Sequence, residues 1–192
     1  MTAPRFAYPV FLDLHDVPVL VVGGGPIGAR KVAGLHACGA SVRLVAADVS
    51  DAVDRAQCAE VRERPFADDD LDGVRLVITA TGDQTTDTEI ATQARQRGIW
   101  TNAADQPVDC DFILPAIVTA GRVTAAISTD GASPALAKAL RDRCAAVVTD
   151  DVAALADELA VARAAIKARG ESTEDVDWSP RIDAVLGKPP TT

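Results

Sequence analysis

The sequence predicts an α/β protein: a Rossmann-like, doubly wound parallel sheet followed by a small β-hairpin and a helical region. Three observations predict this fold class. Short β-branched runs alternate with segments of helical spacing from Val17 to Ala103, a rhythm typical of parallel sheets with helical crossovers. A glycine-rich stretch, VVGGGPIGARK at 21–31, separates the first run from the first helical segment. The alternation stops after Asp105, which indicates a change of architecture there.

The first part of the chain contains five predicted strands. The run Val17 to Val22 (VPVLVV) is short, continuous and apolar, so we expect a strand that is buried on both faces of the sheet. Gly39 is a stop signal for the helix that follows the glycine-rich stretch. The predicted strands span 17–22, 41–46, 60–64, 74–80 and 99–103, and the predicted helices span 27–38, 49–58 and 86–97.

The second part of the chain has a different pattern. Residues 112–128 (FILPAIVTAGRVTAAIS) contain two β-rich runs joined at Ala120-Gly121, which predicts an antiparallel hairpin. Ser133 and Pro134 form an N-cap and first-turn pair, so a helix is expected to begin there. A second helix is predicted over 151–169, and the polar tail from Glu171 is predicted to fray. The apolar stripe of the first of these helices consists of Leu136, Leu140, Cys144 and Val147.

Composition and charge exclude several classes of protein. The 192 residues carry a formal net charge of −9 at pH 7, whereas nucleic acids and anionic membranes bind surfaces rich in Lys and Arg. The four cysteines are far apart without a C-x-x-C pair, so neither a disulfide framework nor a structural zinc site is expected. No apolar run reaches the roughly 18 residues of a membrane span, and the first residues lack a signal-peptide pattern. We therefore expect a cytoplasmic protein whose partners are small molecules or further copies of itself.

The glycines at 23–28 have the spacing of a dinucleotide-binding turn. Gly23, Gly25 and Gly28 form G-x-G-x-x-G directly between a predicted strand and a predicted helix. Backbone amides at such a turn approach a pyrophosphate without a Cβ clash, while the N-terminus of the helix faces the anion. A tight structural turn is the alternative interpretation. The strand, the glycines, the helix and the second strand together favour a dinucleotide site.

Residues after two further strands extend this candidate site. Asp48 follows the second strand and can accept a hydrogen bond from a ribose hydroxyl. No basic residue occupies 45–48, where a 2′-phosphate would need one, so the sequence favours NAD over NADP. Thr81 lies at the carboxyl end of the strand predicted over 74–80, the edge at which open α/β sheets bind ligands.

The candidate acid or base follows the next strand. The segment TNAAD at 101–105 places Asn102 and Asp105 near the same sheet edge. Asp105 is the candidate for general acid–base chemistry, and a loop-capping carboxylate is its alternative interpretation. His15 and His36 have no metal-ligand partner at suitable spacing, so no resident metal is predicted.

A second loop has the features of an anion site. Residues 128–133 (STDGAS) are small and enter a helix whose free amides can hold a carboxylate. Lys138 and Arg141 follow one or two helical turns later. A well-capped helix without a ligand is the alternative interpretation.

Four stretches, in this order and spacing, resemble the precorrin-2 dehydrogenase and sirohydrochlorin ferrochelatase family, which occurs alone and as the N-terminal module of siroheme synthase. They are YPVFLDLHDVPVLVVGGGPIGARK, LVITATGD, TNAADQPVDCDFILPAIV and AAISTDGASPALAKALR. The resemblance covers about Tyr8 to Arg143. It implies NAD-dependent oxidation of precorrin-2 to sirohydrochlorin, and in bifunctional members the insertion of Fe²⁺, as a substrate, to give siroheme.

The same resemblance implies a domain organisation and an assembly. It implies an NAD-binding domain at 1–113, a dimerisation and substrate region at 114–150, and a C-terminal helical segment with a tail at 151–192. The protein is then expected to be a homodimer that binds its tetrapyrrole in a cleft. No methyltransferase domain is present in these 192 residues, so the methylation steps that precede this reaction are expected elsewhere.

The resemblance also implies roles for particular residues. The key acid/base of the family falls on Asp105. Backbone contacts to NAD fall on Pro26 and Ile27 and on Ala47 and Asp48. An active-site serine of the relatives falls on Ser128 or Thr129. The substrate bears many carboxylates although the chain is acidic, so local positive charge is expected from Arg122, Lys138, Arg141 or Arg143.

Two alternative functions remain open at the level of sequence. A non-catalytic NAD-sensing regulatory module would keep the glycine turn without needing Asp105. A dehydrogenase without chelatase activity would keep the same loop and the same acid as a bifunctional enzyme, so the sequence does not separate these two.

Overall fold

The computed structural model describes residues 5–187. The chain forms two compact units, Met1–Ile113 and Leu114–Thr192. Among the described residues, no helix combines the length and the apolar character needed to cross a membrane.

The first unit contains a five-stranded parallel sheet, as predicted. Its strand order is β3-β2-β1-β4-β5, and every neighbouring pair is parallel. The chain therefore starts in the centre of the sheet, builds outward to one edge, and then crosses to the other side of β1. Such a reversal leaves a crevice at the carboxyl ends of the two central strands. The strands are β1 (Pro18–Gly24), β2 (Ser41–Val49), β3 (Glu60–Glu63), β4 (Leu76–Thr79) and β5 (Trp100–Ala103).

Two helices cover opposite faces of this sheet. Successive side chains of a strand point to opposite faces, and in β1 both sets are buried. Val19 and Val21 pack in one cluster with Val32 of α1 (Pro26–Ala37). Leu20 and Val22 pack in a second cluster with Ile90 of α2 (Gln84–Gln96). The prediction that β1 is buried on both faces is confirmed.

The prediction of a helix over 49–58 is wrong. β2 continues to Val49, and the chain then turns and forms one short 3₁₀ segment, Arg55–Gln57. The Asp54 side chain accepts a hydrogen bond from the amide of Ala56 at 3.0 Å, so it caps this short turn. Val53 is the buried apolar residue of the segment, and one such residue does not provide the apolar stripe of a longer helix.

Asp70 is a fully buried carboxylate beside β3. It accepts hydrogen bonds from the guanidinium groups of Arg62 at 2.6 Å and Arg64 at 2.8 Å, and from the amide of Ala67 at 2.8 Å. Burial alone would raise the pKa of Asp70, but the hydrogen bonds from Arg64, Ala67 and Arg62 hold that pKa below its usual range. The charged form of Asp70 therefore stabilises the fold.

We expect Asp70→Asn to lower the free energy of unfolding by about 2 kcal/mol at neutral pH, because two arginines lose a buried charged partner. A lowered pKa in the folded state gives stability above the unfolded pKa of about 3.9, and this stability is lost as the pH falls through the folded value. Urea unfolding at pH 7 and near pH 3 checks this sign. A difference between variant and wild type that stays constant with pH would contradict it.

The second unit begins with the predicted antiparallel hairpin. Strands β6 (Ala116–Ala120) and β7 (Val123–Ile127) pair in antiparallel register around Gly121. α3 (Pro134–Ala145) begins where the sequence predicts, because the Ser133 hydroxyl accepts from the amide of Leu136 at 3.2 Å. α4 (Asp150–Ala168) follows, as predicted. The hairpin and both helices are confirmed.

The prediction that the tail frays from Glu171 is wrong for one segment of the tail. A helix, α5, spans Ser179–Leu186. Arg181 of α5 lies 3.0 Å from Glu158 of α4, and its guanidinium stacks over the Trp178 ring. Trp178 and residues 182–186 (IDAVL) supply apolar surface, which the mostly polar residues at 171–177 obscured in the sequence. Residues 188–192 (KPPTT) lie outside the described part of the chain.

Candidate functional site

The glycine turn between β1 and α1 is closed by backbone contacts. Gly23 has φ +120°, and a Cβ on it would lie 2.1 Å from the Ala80 oxygen at the end of β4. A Cβ on Gly28 would lie 1.9 Å from the Gly23 oxygen. Glycine is therefore required at Gly23 for the turn and at Gly28 for the approach of α1 to β1.

Gly25 differs from these two glycines. Its φ is −79°, which any residue adopts, and a Cβ built on it meets no protein atom within 4 Å among the described residues. The space in front of Gly25 is therefore open, and packing does not explain the glycine. Open space at the second glycine is what the approach of a pyrophosphate to the backbone requires.

The N-terminus of α1 presents unpaired amides to this open space. The first amides of a helix have no partner within the helix, and the N-cap is Gly25, which has no side chain to accept from them. Pro26 has no amide hydrogen, so Ile27 and Gly28 provide the donors. The first turn contains no acidic residue. These features fit an anionic group, and therefore fit the pyrophosphate of a dinucleotide.

Gly24 is a further residue of the turn, which sequence analysis did not select. A Cβ on it would lie 2.3 Å from the Asp48 oxygen. The Gly24 oxygen also accepts hydrogen bonds from the amide and the hydroxyl of Ser50, at 3.0 and 2.8 Å. The end of β2 is therefore held directly against the glycine turn.

The other residues predicted to contact the dinucleotide lie at the same edge of the sheet. Ala47 and Asp48 are exposed near the carboxyl end of β2, and the Asp48 side chain forms no hydrogen bond or ion pair within residues 5–187. Thr81 follows β4, and its hydroxyl donates to Asp87 at 2.9 Å. Asp48 is therefore available to a ligand, whereas the Thr81 hydroxyl has a protein partner.

Asp105 lies two residues beyond β5, at the same carboxyl edge. Parallel strands lie about 4.8 Å apart, and β4 separates β5 from β1, so the loops after β1 and β5 are near each other. Asp105 is exposed and has φ +60°, a left-handed conformation that Asp and Asn tolerate better than most residues. The amide of Ala104 donates to the Thr79 oxygen at 2.9 Å. The carboxylate is thus presented to solvent from a fixed turn.

The loop after Asp105 is held on several sides. The Arg5 guanidinium donates to the backbone oxygens of Pro107 and Cys110, both at 2.8 Å. The buried Asn102 side chain donates to the Phe112 oxygen at 3.0 Å. Asn102, which the sequence analysis predicted to bind substrate, therefore faces the loop that follows Asp105.

Lys31 of α1 is the cation coupled to Asp105. Burial and the neighbouring Arg30 lower the pKa of Lys31, whereas Asp105 and Cys110 raise it. Lys31 is half-buried and forms no ion pair within residues 5–187. The cations predicted from the sequence to bind the substrate all lie in the second unit, so Lys31 was not among them.

The remaining predicted site residues belong to the second unit. The Ser128 hydroxyl accepts from the amide of Asp130 at 3.1 Å, and the Thr129 hydroxyl donates to the Ser133 oxygen at 3.1 Å. Both hydroxyls therefore shape the loop before α3. Lys138 is exposed on α3, and Arg141 is paired with its neighbour Asp142.

The two other candidate cations differ in their contacts. The Arg122 guanidinium lies 2.6 Å from the Asp157 carboxylate in an exposed ion pair. Arg143 is exposed on α3 and forms no ion pair within the described residues. Of the four cations that the sequence analysis proposed, Lys138 and Arg143 therefore carry charge that no described carboxylate balances.

Comparisons with known proteins agree with the geometry of the first unit. Residues 10–116 match a family described as putative NAD(P)-binding. A solved structure described as SirC, precorrin-2 dehydrogenase, superposes with a TM-score of 0.68 at 29% identity, over 93% of this chain and 87% of that one.

Curated relatives are siroheme synthases. That of Methylococcus capsulatus is 43% identical over 139 residues, which are 70% of this chain and 29% of the relative. That of Methylobacillus flagellatus is 36% identical over 186 residues, which are 94% of this chain and 40% of the relative. The chain thus spans 29% and 40% of the length of these two relatives. The resemblance derived from the sequence is confirmed.

Proposed function

The chain belongs to the putative NAD(P)-binding family matched by residues 10–116, and from this premise we propose that it is an NAD-dependent dehydrogenase that oxidises precorrin-2 to sirohydrochlorin. The observation that carries the proposal is the placement of the open glycine turn and of Asp105 at one edge of one sheet. The similarity to a structure described as a precorrin-2 dehydrogenase supports this choice of substrate.

The cofactor would be held by the glycine turn. The amides of Ile27 and Gly28 would donate to the pyrophosphate, and Gly25 leaves room for it. The exposed Asp48 accepts from a ribose hydroxyl. Bound NAD⁺ supplies the hydride acceptor for the reaction.

Asp105 would handle the proton that accompanies the oxidation. Loss of a hydride and a proton from the macrocycle gives the new double bond, and the Asp105 carboxylate accepts the proton. Because Asp105 is exposed, it can pass that proton to water.

Anaerobic incubation with precorrin-2 and NAD⁺ tests the proposal. We expect one NADH per sirohydrochlorin, followed by the absorbance of both products. The same assay separates the dehydrogenase from a non-catalytic NAD-sensing module. Such a module would bind NAD⁺ without forming NADH, and that result would refute the proposed reaction.

Iron insertion is a separate question for this chain. No cluster of three or more His, Cys, Asp or Glu side chains within residues 5–187 is arranged to hold a metal ion. If Fe²⁺ is inserted, it is a substrate, and Asp105 is the candidate acceptor for the inner protons of the macrocycle. Incubation of sirohydrochlorin with Fe²⁺, with the absorption change of siroheme as readout, decides whether the chain is bifunctional.

We propose that the functional form is a homodimer joined through the second unit. The described part of this unit has two buried apolar side chains, Ala137 and Leu155, whereas Ile117 is 56% exposed and Leu136 is 51% exposed. A two-stranded hairpin is marginally stable by itself, and apolar side chains left exposed on it and on the adjacent α3 fit an interface between copies. We also propose that the dimer acts in the cytoplasm, where its four free thiols would stay reduced.

We expect Leu136→Asp to convert the dimer to a monomer, because each interface would bury two unpaired carboxylates. Light scattering at micromolar concentrations measures the mass. Val10→Asp, at an apolar position of the first unit that is 55% exposed, is the matched control and should remain dimeric. A wild-type protein that is monomeric at every concentration would contradict the assignment.

A further inference from the structure

The first unit contains a buried carboxylate that the proposed reaction does not use. Asp87 lies in the first turn of α2 and is 3% exposed. It forms no ion pair with a basic residue among residues 5–187. Its charge is compensated by hydrogen-bond donors and by the N-terminus of α2. A buried carboxylate without a cation is costly unless its oxygens are well satisfied, so its partners are informative.

One oxygen of Asp87 holds the segment after β4. Its Oδ1 atom accepts from the hydroxyl of Thr81 at 2.9 Å and from the amide of Thr81 at 3.2 Å. The Thr81 hydroxyl in turn accepts from the amide of Asp83 at 3.1 Å. The turn predicted to contact the dinucleotide is therefore anchored on this single oxygen.

The other oxygen of Asp87 holds the residue next to Asp105. Its Oδ2 atom accepts from Nε2 of Gln106 at 3.3 Å. Gln106 is 7% exposed, and its Oε1 atom lies 3.2 Å from the Thr88 hydroxyl, which donates to the Asp109 carboxylate at 2.7 Å. The amide of Gln106 donates to the Ala103 oxygen at 3.2 Å. The hydrogen bond to Asp87 therefore holds the Gln106 side chain in the residue that follows Asp105.

We propose that Asp87 is a positioning residue, which holds the Thr81 turn and the Asp105 loop in one arrangement by using one carboxylate oxygen for each. The inference rests on the proposed function, which assigns cofactor contact to the Thr81 turn and proton transfer to the Asp105 loop. It adds that Asp87 anchors both the Thr81 turn, which is proposed to contact the cofactor, and the loop that carries Asp105. A displacement of a reacting group by about 1 Å costs on the order of 10²-fold in rate, so a shared anchor matters for turnover.

A swap of donor and acceptor tests this anchor. Asp87→Asn keeps the acceptor that faces Thr81. Its amide nitrogen then faces Nε2 of Gln106, and the contact is restored only if the Gln106 amide rotates by 180°, so this single variant is the milder of the two. Gln106→Glu places a second carboxylate against Asp87. In the double variant, the amide of the new asparagine donates to the new glutamate, which restores the hydrogen bond with reversed polarity. Asp70→Asn is the matched control, because it neutralises another buried carboxylate of the same unit.

The first readout is amide hydrogen exchange at 104–106 in the ligand-free protein, referenced to global stability in urea. We expect Gln106→Glu to exchange faster there by roughly tenfold, Asp87→Asn by a smaller factor, and the double variant to return toward wild type, whereas Asp70→Asn lowers stability without a specific effect at 104–106. This readout does not depend on the substrate. It therefore tests the anchor even if precorrin-2 is not oxidised, in which case the proposed function alone fails.

The second readout is catalysis with precorrin-2. We expect Gln106→Glu to lose roughly 10- to 100-fold in kcat and Asp87→Asn to lose less, with the dissociation constant of NAD⁺ for Asp87→Asn within about threefold of wild type, and the double variant to regain at least about tenfold relative to Gln106→Glu. Normal exchange at 104–106 in Gln106→Glu would overturn the inference. A double variant no better than the worse single variant in both readouts would also overturn it.

Discussion

The Asp105→Asn variant is expected to lose about 10³-fold in kcat for precorrin-2 oxidation while it binds NAD⁺ with unchanged affinity. The amide cannot accept the proton, and general acid–base catalysis contributes roughly 10²- to 10⁴-fold. Asparagine is the informative substitution because Asp105 has φ +60°, which Asn tolerates and alanine does not. The loss is therefore chemical and not conformational. Steady-state kinetics under anaerobic conditions measure it, together with NAD⁺ titration by fluorescence.

Asp16→Asn provides the matched control for this variant. Asp16 also has a left-handed backbone, with φ 58°, and is exposed, but it precedes β1 and so lies at the amino ends of the strands. The same chemical change in the same backbone conformation should leave kcat unchanged there. Near-normal turnover of Asp105→Asn would remove Asp105 from the catalytic role.

Gly25→Asp is expected to raise stability and to weaken NAD⁺ binding at least about 100-fold. An aspartate at the N-cap accepts from the first amides of the helix and stabilises it relative to glycine by roughly a few tenths of a kcal/mol. Its carboxylate would occupy the donors of Ile27 and Gly28 and would repel a pyrophosphate. The space around the Gly25 Cβ position is open, so no clash offsets the gain. Thermal unfolding and NAD⁺ titration measure the two effects.

Opposite signs for stability and affinity distinguish a ligand site from a packing site. Gly34→Asp is the control, because Gly34 is exposed on the same helix and its Cβ would also meet open space; NAD⁺ affinity should be retained there. Unchanged NAD⁺ affinity in Gly25→Asp would contradict the assignment of the glycine turn.

The sheet could be predicted because its strands are encoded locally. VPVLVV has no polar position, and the structure buries both faces of β1. A strand that is buried on both faces does not alternate between polar and apolar residues. The hairpin around Gly121 and the Ser133 cap could also be predicted from the sequence, since both depend on neighbours within a few residues. The segment 49–58 was misjudged because its helical spacing lacks a buried stripe. The helix α5 was missed because the mostly polar residues 171–177 and the terminal KPPTT dominate the tail, although 182–186 (IDAVL) are mostly apolar.

The site could be predicted where a motif carries it. The different roles of Gly23, Gly25 and Gly28 follow from their spacing, and the structure assigns contacts to the first and third and open space to the second. The residues that hold the site in place could not be predicted from the sequence. Asp87 and Gln106 are 19 positions apart, and Arg5 reaches a loop more than 100 residues away. Pairs of this kind are defined by the order of the strands, so they emerge only once the sheet is assembled.

A crystal structure of the protein with NAD⁺ would test most directly whether glycine turn and acid serve one reaction site. The account predicts the pyrophosphate against the amides of Ile27 and Gly28, and the nicotinamide ring on the β4 and β5 side of the sheet edge, open to the Asp105 carboxylate. A dinucleotide bound elsewhere, or protein atoms between its ring and Asp105, would contradict it.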